Sequence, residues 1–145
     1  MLRRSVENDL LSYCAEEGIG VVAYSPLQNG LLTGKFTKER IRNLPDDDFR
    51  KVINRSFQEP EVDINLGFVE SLKPLAEQHD RTLAQLALAW VLRRQEVTSA
   101  ITGTRKPEQI KETAAAGDWY LDEELASQIE ELLTKRDEEL ERIKD

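Results

Sequence analysis

Two stretches of this sequence have the composition of buried β-strands, and a long region with helical patterns separates them. The runs are IGVVAY at residues 19–24 and VTSAI at residues 97–101. Continuous apolar and β-branched runs of this kind are typical of strands buried on both faces of a parallel sheet. Long helical crossovers between strands also favour parallel pairing. Two strands are too few to bury their own faces, so the sequence predicts only part of an α/β barrel.

Helical patterns fill most of the remaining chain, in the order helix, strand, loop, two or more helices, strand, helix, helix. The predicted helices, each with apolar residues at helical spacing, are 5–18, 62–79, 82–94, 107–116 and 121–145. Capping residues support them: Ser5, the Thr82–Gln85 capping box and Asp122 at N-termini, and Gly18 as a stop. Pro74 lies inside the second helix and predicts a kink there or a division into two shorter helices.

We interpret residues 1–145 as a single domain with the architecture of a partial barrel. Residues 37–60 are predicted to form a long loop with one short helix, because turn residues and mixed charges dominate there. The segment 121–145 is predicted as a C-terminal helix whose end is charged. Arg50 or Arg55 of the long loop is expected to reach a ligand, but their spacing does not choose between them.

Composition excludes several classes of function. The net charge of −8 argues against a general nucleic-acid binder, so any basic feature must be local. No stretch is long and apolar enough for a membrane span, and we therefore expect no membrane partner. Cys14 is the one cysteine of the chain, which rules out an internal disulfide and a cysteine-built zinc site. A reducing cytoplasm is the expected location, and no metal is expected.

The second predicted strand ends in a motif that suits an anion. Gly103 is followed by Arg105, Lys106 and Pro107, and the proline favours the first turn of a helix. Helix N-termini carry unpaired N–H groups and attract phosphate, and arginine adds bidentate hydrogen bonding. Taken alone, the motif is better explained as a charged turn before a helix than as a phosphate site.

Three segments resemble the aldo-keto reductases and occur in that family's order. They are GVVAYSPLQNGLLTGKF at 20–36, LAQLALAWVLRR at 83–94 and ITGTRKPEQIKE at 101–112. The family is a (β/α)8 TIM barrel that reduces carbonyls with NADPH. The resemblance implies that this chain is the barrel's C-terminal segment, from the sixth helix to the eighth helix plus the tail, and binds NADP(H).

The resemblance also implies a cofactor site. Its residues come from two loops and the following helix: Tyr24, Ser25, Leu27, Gln28, Lys35, Gly103, Thr104, Arg105, Lys106, Gln109, Glu112 and Thr113. Tyr24 matches the aromatic that stacks on the nicotinamide, and residues 25–28 and Lys35 match the pyrophosphate loop. Residues 103–106 match the segment that binds the adenosine 2′-phosphate. Gln109 and Glu112 match residues that lie beside the adenosine. Thr113 departs from the family's usual Asn, which leaves the adenine contact open.

The same motifs have ordinary structural explanations when they are taken one at a time. Gly30 and Gly34 suit turns, Tyr24 suits a packed core aromatic, and Trp90 suits the core of its helix. His79 suits a surface turn rather than catalysis. Their joint occurrence is what favours the cofactor site.

The catalytic residues of the family are not matched here. Its tetrad of Asp, Tyr, Lys and His belongs to the N-terminal half, and His79 lies in the wrong element to replace it. Met1 fits the family pattern just after the sixth strand, so we expect it to be an internal position of a longer reading frame. Whether this chain is an enzyme by itself is therefore left open.

The expected partners follow from that interpretation. In a complete barrel the partner is a small-molecule carbonyl substrate. The isolated chain is expected to self-associate or to pair with the missing half-barrel. The alternative is a non-catalytic NADP(H)-binding or protein-interaction module derived from a reductase.

Overall fold

A computed structural model describes residues 1–143 and has the predicted order of elements. The strands are β1 (Val21–Tyr24) and β2 (Val97–Ile101). The helices are α1 (Leu10–Glu16), α2 (Lys38–Arg42), α3 (Phe49–Val52), α4 (Glu61–Gln78), α5 (Leu83–Leu92), α6 (Pro107–Ala114) and α7 (Glu123–Arg142). Short 3₁₀ segments are Ser5–Glu7, Gln28–Thr33 and Arg55–Phe57. The last two positions of the predicted helix 121–145 lie outside the described residues.

The two strands pair in parallel, as the sequence predicts. Tyr24 stands opposite Ile101 at the carboxyl end of the pair. At the other end, a Cβ added to Gly20 would lie 2.8 Å from Cγ2 of Thr98, so only glycine fits there without a shift. The loops that follow both strands therefore leave from the same edge of the sheet.

The two strands do not bury both of their faces, in line with the expectation that two strands are too few to do so. Val22 is 55% exposed, Tyr24 83% and Ile101 60%. Side chains alternate across a strand, and these three lie on the face of the two-stranded sheet that no other part of residues 1–143 covers. The described residues thus leave apolar side chains of both strands exposed to solvent.

Local capping signals mostly gave the correct helix ends. Thr82 Oγ1 accepts a hydrogen bond from the Gln85 amide at 3.2 Å, and Gln85 Oε1 accepts one from the Thr82 amide at 3.0 Å. Asp122 Oδ1 accepts from the Leu125 amide at 2.8 Å and begins α7. The stop at Gly18 is confirmed by its left-handed φ of 65°.

Two predicted helices differ from the structure. The first is divided into a 3₁₀ turn at Ser5–Glu7 and α1, and Ser5 caps neither of them with its side chain. The second is not divided, because α4 runs through Pro74 without interruption. Pro74 and Glu70 are both exposed, so water can bond the Glu70 carbonyl that lacks an amide partner at Pro74.

The core lies behind the sheet, where α4, α5 and α7 pack together. Its largest fully buried side chains are Trp90, Leu31, Leu32, Leu72, Leu86, Ile129, Leu133, Val69 and Asn65. The predicted core position of Trp90 is confirmed. Arg136 of α7 is buried too, and its Nη1 donates to the Leu2 carbonyl at 3.3 Å. The core therefore fixes the N-terminal segment and both long helices together.

The segment 37–60 is more ordered than the predicted loop with one short helix. It contains α2, α3 and a 3₁₀ turn, and their starts are capped by Thr37, Asp48 and Asn54. Phe57 anchors the segment, because its buried ring meets the Phe36 ring edge-on at 5.0 Å. None of the helices within residues 1–143 has the length and apolar character needed to cross a bilayer.

Candidate functional site

A cleft of about 580 Å³ opens at the carboxyl ends of β1 and β2. Its walls come from the loop after β1, the segment 37–60, the loop after β2 and the first turns of α6. The pairing of Tyr24 with Ile101 sets these loops side by side. Sites in parallel α/β folds form at this edge of the sheet, since the loops meet there.

Most of the residues predicted from the sequence line this one cleft. They are Tyr24, Ser25, Leu27, Lys35, Gly103, Thr104, Arg105, Gln109, Glu112 and Thr113. Gln28 and Lys106 lie outside its lining. Tyr24 is 83% exposed, so the alternative of a packed core aromatic does not hold.

Gln28 has a structural contact instead of a place in the cleft wall. Its Nε2 donates to the Oγ of buried Ser56 at 3.1 Å. This bond ties the loop after β1 to the segment 37–60. Lys106 is the N-cap residue of α6, with its side chain exposed.

The loop after β1 has an unusual backbone. Ser25, Gln28 and Asn29 have φ values of 49°, 47° and 54°, in the left-handed region that non-glycine residues rarely adopt. Each such residue costs roughly 1–2 kcal/mol relative to the right-handed form. Strained backbone of this kind is concentrated at binding and catalytic sites, where the surrounding packing maintains it.

The charge of the cleft is opposite to that of the whole chain. Its lining includes Lys35, Arg40, Arg50 and Arg105, whereas Glu112 is its one acidic residue. Lys35, Arg40 and Arg105 have no carboxylate within ion-pair distance anywhere in residues 1–143. The chain as a whole carries −8. A local excess of unpaired cations is suited to an anion.

Arg40 and Arg50 both lie over the ring of Phe36. Their Cζ atoms are 4.8 Å and 5.2 Å from the ring centroid, within the range of cation–π attraction. Arg40 Nη1 donates to the Lys35 carbonyl at 2.8 Å. Arg50 is bound by Asp48, and hydrogen bonds from its side chain and its backbone amide lower the pKa of Asp48 to about 2.

Sequence reasoning missed Phe36, Arg40 and Asp48, and it left Arg50 and Arg55 as alternatives. Arg50 lines the cleft, and Arg55 does not. Only the loop position of Arg50 was visible in the sequence. The placement depends on how α2 and α3 fold back over Phe36, which no local spacing reveals.

The start of α6 differs from the simple picture of unpaired N–H groups. Gln109 Oε1 accepts hydrogen bonds from the backbone amides of Arg105 at 2.8 Å and Lys106 at 3.2 Å. Two of the donors expected to meet an anion are therefore already used. The Thr113 hydroxyl is also used, since it donates to the Gln109 carbonyl at 2.9 Å. The Arg105 side chain is the cation of this turn that lines the cleft.

The residue types that commonly bind metals are not clustered in the described part of the chain. Within residues 1–143, no three His, Cys, Asp or Glu side chains gather closely enough to hold a metal ion. Cys14 is buried as a free thiol.

Comparison with known proteins gives a consistent picture. The sequence pattern of the aldo/keto reductase family matches residues 1–134. A probable voltage-gated potassium channel subunit beta from Arabidopsis thaliana is 39% identical over 122 residues, covering 80% of this chain and 35% of that protein. An NADH-specific methylglyoxal reductase from Escherichia coli is 34% identical over 116 residues, covering 80% of this chain and 34% of that protein.

A solved structure is similar as well. A glycerol dehydrogenase from Gluconobacter oxydans superposes with a TM-score of 0.82 at 31% identity, covering 92% of this chain and 40% of that one. The chain thus spans roughly a third of the length of the curated relatives it matches.

Proposed function

Because the chain belongs to the aldo/keto reductase family, we propose that it forms the C-terminal, NADP(H)-binding part of a carbonyl reductase. In this proposal β1 and β2 are the seventh and eighth strands of a (β/α)8 barrel. The chain supplies much of the cofactor site and does not reduce a carbonyl by itself, since it has no match to the family's catalytic tetrad. The substrate of the complete barrel is a small-molecule carbonyl.

One observation carries the proposal: the cleft gathers unpaired cations at the carboxyl ends of both strands. Lys35 and Arg105 come from different loops, yet both line it. A dinucleotide has phosphate groups at separate points along its length, so cations from separate loops suit it. The high exposure of Tyr24 leaves its ring available at the same cleft for stacking.

The residues present fit the cofactor in most respects. Lys35 and Arg40 would hold the pyrophosphate with the loop after β1, and Arg105 would hold a 2′-phosphate with Lys106. Gln109 would have to release the amides of residues 105 and 106 before they could bind the ligand. Bound NADPH would supply a hydride, while this chain's residues bind and orient the dinucleotide.

The preference for NADP(H) over NAD(H) rests on Arg105 and Lys106. Charge-assisted hydrogen bonds of this kind contribute about 1.5–3 kcal/mol each. A relative in Escherichia coli is named as NADH-specific, so membership of the family does not decide the preference.

Calorimetric titration of the 145-residue chain with NADPH tests the proposal. We expect binding, and we expect Lys35→Ala to weaken it by about tenfold, in line with the loss of one charge-assisted contact. Lys135→Ala is the matched control, because Lys135 is an exposed cation of α7 outside the cleft. Equal effects of the two variants, or no NADPH binding, would contradict the site.

Catalysis is tested separately with NADPH and an aldehyde such as 4-nitrobenzaldehyde. We expect no turnover by the purified chain, since nothing here matches the acid that protonates the carbonyl. Reductase activity that co-purifies with the chain would overturn this part of the proposal.

A second candidate function is a non-catalytic module that binds NADP(H) or another protein. The observation in its favour is the similarity to plant proteins named as potassium channel beta subunits. NADPH binding by a complete barrel without turnover of any carbonyl would favour it. Absence of nucleotide binding, together with capture of a defined partner, would favour a purely structural role.

The open strand faces motivate a proposal about assembly. Val22 and Ile101 are more than half exposed although their strands are apolar. We propose that the chain pairs with the remainder of a barrel or with a second copy of itself. The buried free thiol of Cys14 is in keeping with a reducing, cytoplasmic location.

A further inference from the structure

We propose that Asp48 is a positioning residue that holds Arg50 at the cleft wall, where Arg50 and Arg40 on Phe36 form a phosphate-binding position. The proposal rests on the proposed binding of a dinucleotide and assigns one of its phosphate contacts to the segment 37–60. The ligand chemistry is a phosphate or pyrophosphate group. This position is distinct from Arg105, which lies on the loop after β2.

Asp48 makes two kinds of contact with the same residue. Its Oδ1 caps α3 by accepting a hydrogen bond from the backbone amide of Arg50 at 2.9 Å. The carboxylate also accepts two hydrogen bonds from the Arg50 side chain. Nε donates to Oδ1 at 2.8 Å, and Nη2 donates to Oδ2 at 2.5 Å. A bidentate pair of this geometry fixes the plane of the guanidinium as well as its distance. Both side chains are partly buried, at 16% and 28% exposure.

The pair leaves part of Arg50 available. Nε and Nη2 are directed to Asp48, and Nη1 makes no hydrogen bond with any group in residues 1–143. Arg50 lines the cleft, whereas Asp48 does not. The carboxylate thus binds one side of the guanidinium and leaves the other nitrogen for a ligand.

Phe36 is a rigid support for this arrangement. It is 6% exposed, meets Phe57 edge-on at 5.0 Å, and would lie 3.3 Å from a Cβ on Gly30. Two guanidinium groups over one ring repel each other, and Asp48 offsets the charge of one of them. Within the described residues, the Arg40 side chain has only the Lys35 carbonyl as its hydrogen-bond partner, so an anion would complete the cluster.

The neighbouring acids provide a matched control. Asp46, Asp47 and Asp48 are consecutive, but Asp46 pairs with Lys51 at 2.6 Å and only Asp48 contacts Arg50. Asp47 is exposed and makes no ion pair within the described chain. Asp47→Asn therefore changes the charge by the same amount, one residue away, without touching Arg50.

The sign of the effect separates positioning from simple charge. Removal of a negative charge near an anion site strengthens anion binding if only the Coulomb interaction acts. A positioning role predicts the opposite for Asp48→Asn, because the amide cannot hold both nitrogens of Arg50. We expect the dissociation constant for NADPH to rise about tenfold, and to stay unchanged or fall for Asp47→Asn.

A double-mutant cycle is the closing experiment. Asp48→Asn and Arg50→Ala are each expected to raise the NADPH dissociation constant about tenfold, and the double variant no further. Inorganic pyrophosphate is titrated in parallel, with the Nε–H signals of Arg40 and Arg50 followed by NMR. Far-UV circular dichroism checks that each variant keeps its fold.

The outcomes distinguish the two proposals. Wild-type binding of NADPH with no loss in Asp48→Asn, or with additive losses in the double variant, overturns the positioning role and leaves the proposed function intact. Pyrophosphate shifts at Arg40 and Arg50 that vanish in Asp48→Asn, without NADPH binding, support positioning and contradict the proposed function. Absence of binding by both probes overturns both.

Discussion

Arg136 of α7 donates a hydrogen bond of 2.8 Å from Nε to the Oδ1 of Asn65 on α4, and both side chains are buried. The same guanidinium reaches the Leu2 carbonyl and Asp137. Burial lowers the pKa of Arg136 from its ordinary value, yet arginine stays charged in proteins. This polar contact inside an apolar core connects the two longest helices.

Asn65→Leu is expected to destabilise the chain by about 1–3 kcal/mol, because it leaves a buried charged donor without its acceptor. Urea unfolding measures the free energy of unfolding. Arg142→Ala is the control, since its pair with Glu138 is exposed at 3.7 Å and contributes less than about 0.5 kcal/mol. Equal losses in the two variants would show that the Arg136–Asn65 contact adds nothing to stability.

Gly20→Ala is expected to destabilise the paired strands by about 1–3 kcal/mol, since the new methyl group would meet Thr98 at 2.8 Å. Threonine cannot easily turn away because its χ1 is restricted. Gly103→Ala is the matched control, with open space around the added carbon. Thr98→Ala in the Gly20→Ala background should restore most of the loss, and a failure to do so would exclude the contact as its cause.

Asp48 should contribute to stability in a defined range of pH. Its pKa is lowered from 3.8 to about 2 by Arg50, so the folded state favours the charged form. That contribution is complete above about pH 4 and is lost as the pH falls toward 2. The wild-type chain and Asp48→Asn should therefore differ less in urea midpoint as the pH falls from about 5 to about 2. The midpoints are measured at intervals of about one pH unit. A constant difference over this range would argue against the ion pair.

Replacement of Arg105 and Lys106 by alanine in a complete barrel should weaken NADPH far more than NADH. The reason is that only NADPH carries the 2′-phosphate that would meet these two cations. Dissociation constants for both cofactors, measured by protein fluorescence, give the comparison. Similar losses for the two cofactors would remove the basis for the NADP(H) assignment.

The isolated chain is expected to self-associate through the open sheet. An interface that covers these strands should be strongly apolar and exceed about 2,000 Å² in total. Sedimentation over a hundredfold range of protein concentration, beginning at roughly micromolar, measures the oligomeric state. Val22→Lys should shift it toward monomer, whereas Tyr120→Lys, at an exposed aromatic outside the two strands, should not. A compact wild-type monomer at every concentration would contradict the expectation.

Local chemistry explains which features could be predicted from the sequence. The capping box at Thr82 and the cap at Asp122 depend on residues three positions apart, so both can be predicted from the local sequence. Pro107 at the start of α6 is a signal of the same kind. The two loops of the cleft were recognisable because the motifs that follow the strands jointly resemble those of the aldo-keto reductases.

Tertiary packing decided what could not be predicted. The burial of Val22 depends on neighbouring strands that these residues do not supply. The position of Arg50 depends on contacts with Asp48 and Phe36 that form only when the segment 37–60 folds back. Gln109 was expected beside a ligand, but its side chain bonds its own helix start, which competes with that role.

The pairing of Tyr24 with Ile101 brings together two cleft walls that are remote in sequence. Closing the chain between them has an entropic cost that rises slowly with loop length. The cleft needs both walls, so it forms only in the folded state, in which the two strands are paired. A molecule that contacts both walls would bind the native state and not the unfolded one, and so would raise the melting temperature in proportion to the logarithm of its concentration. Thermal unfolding is thus a direct assay of occupancy, and core substitutions far from the cleft would weaken apparent affinity by depleting the folded population.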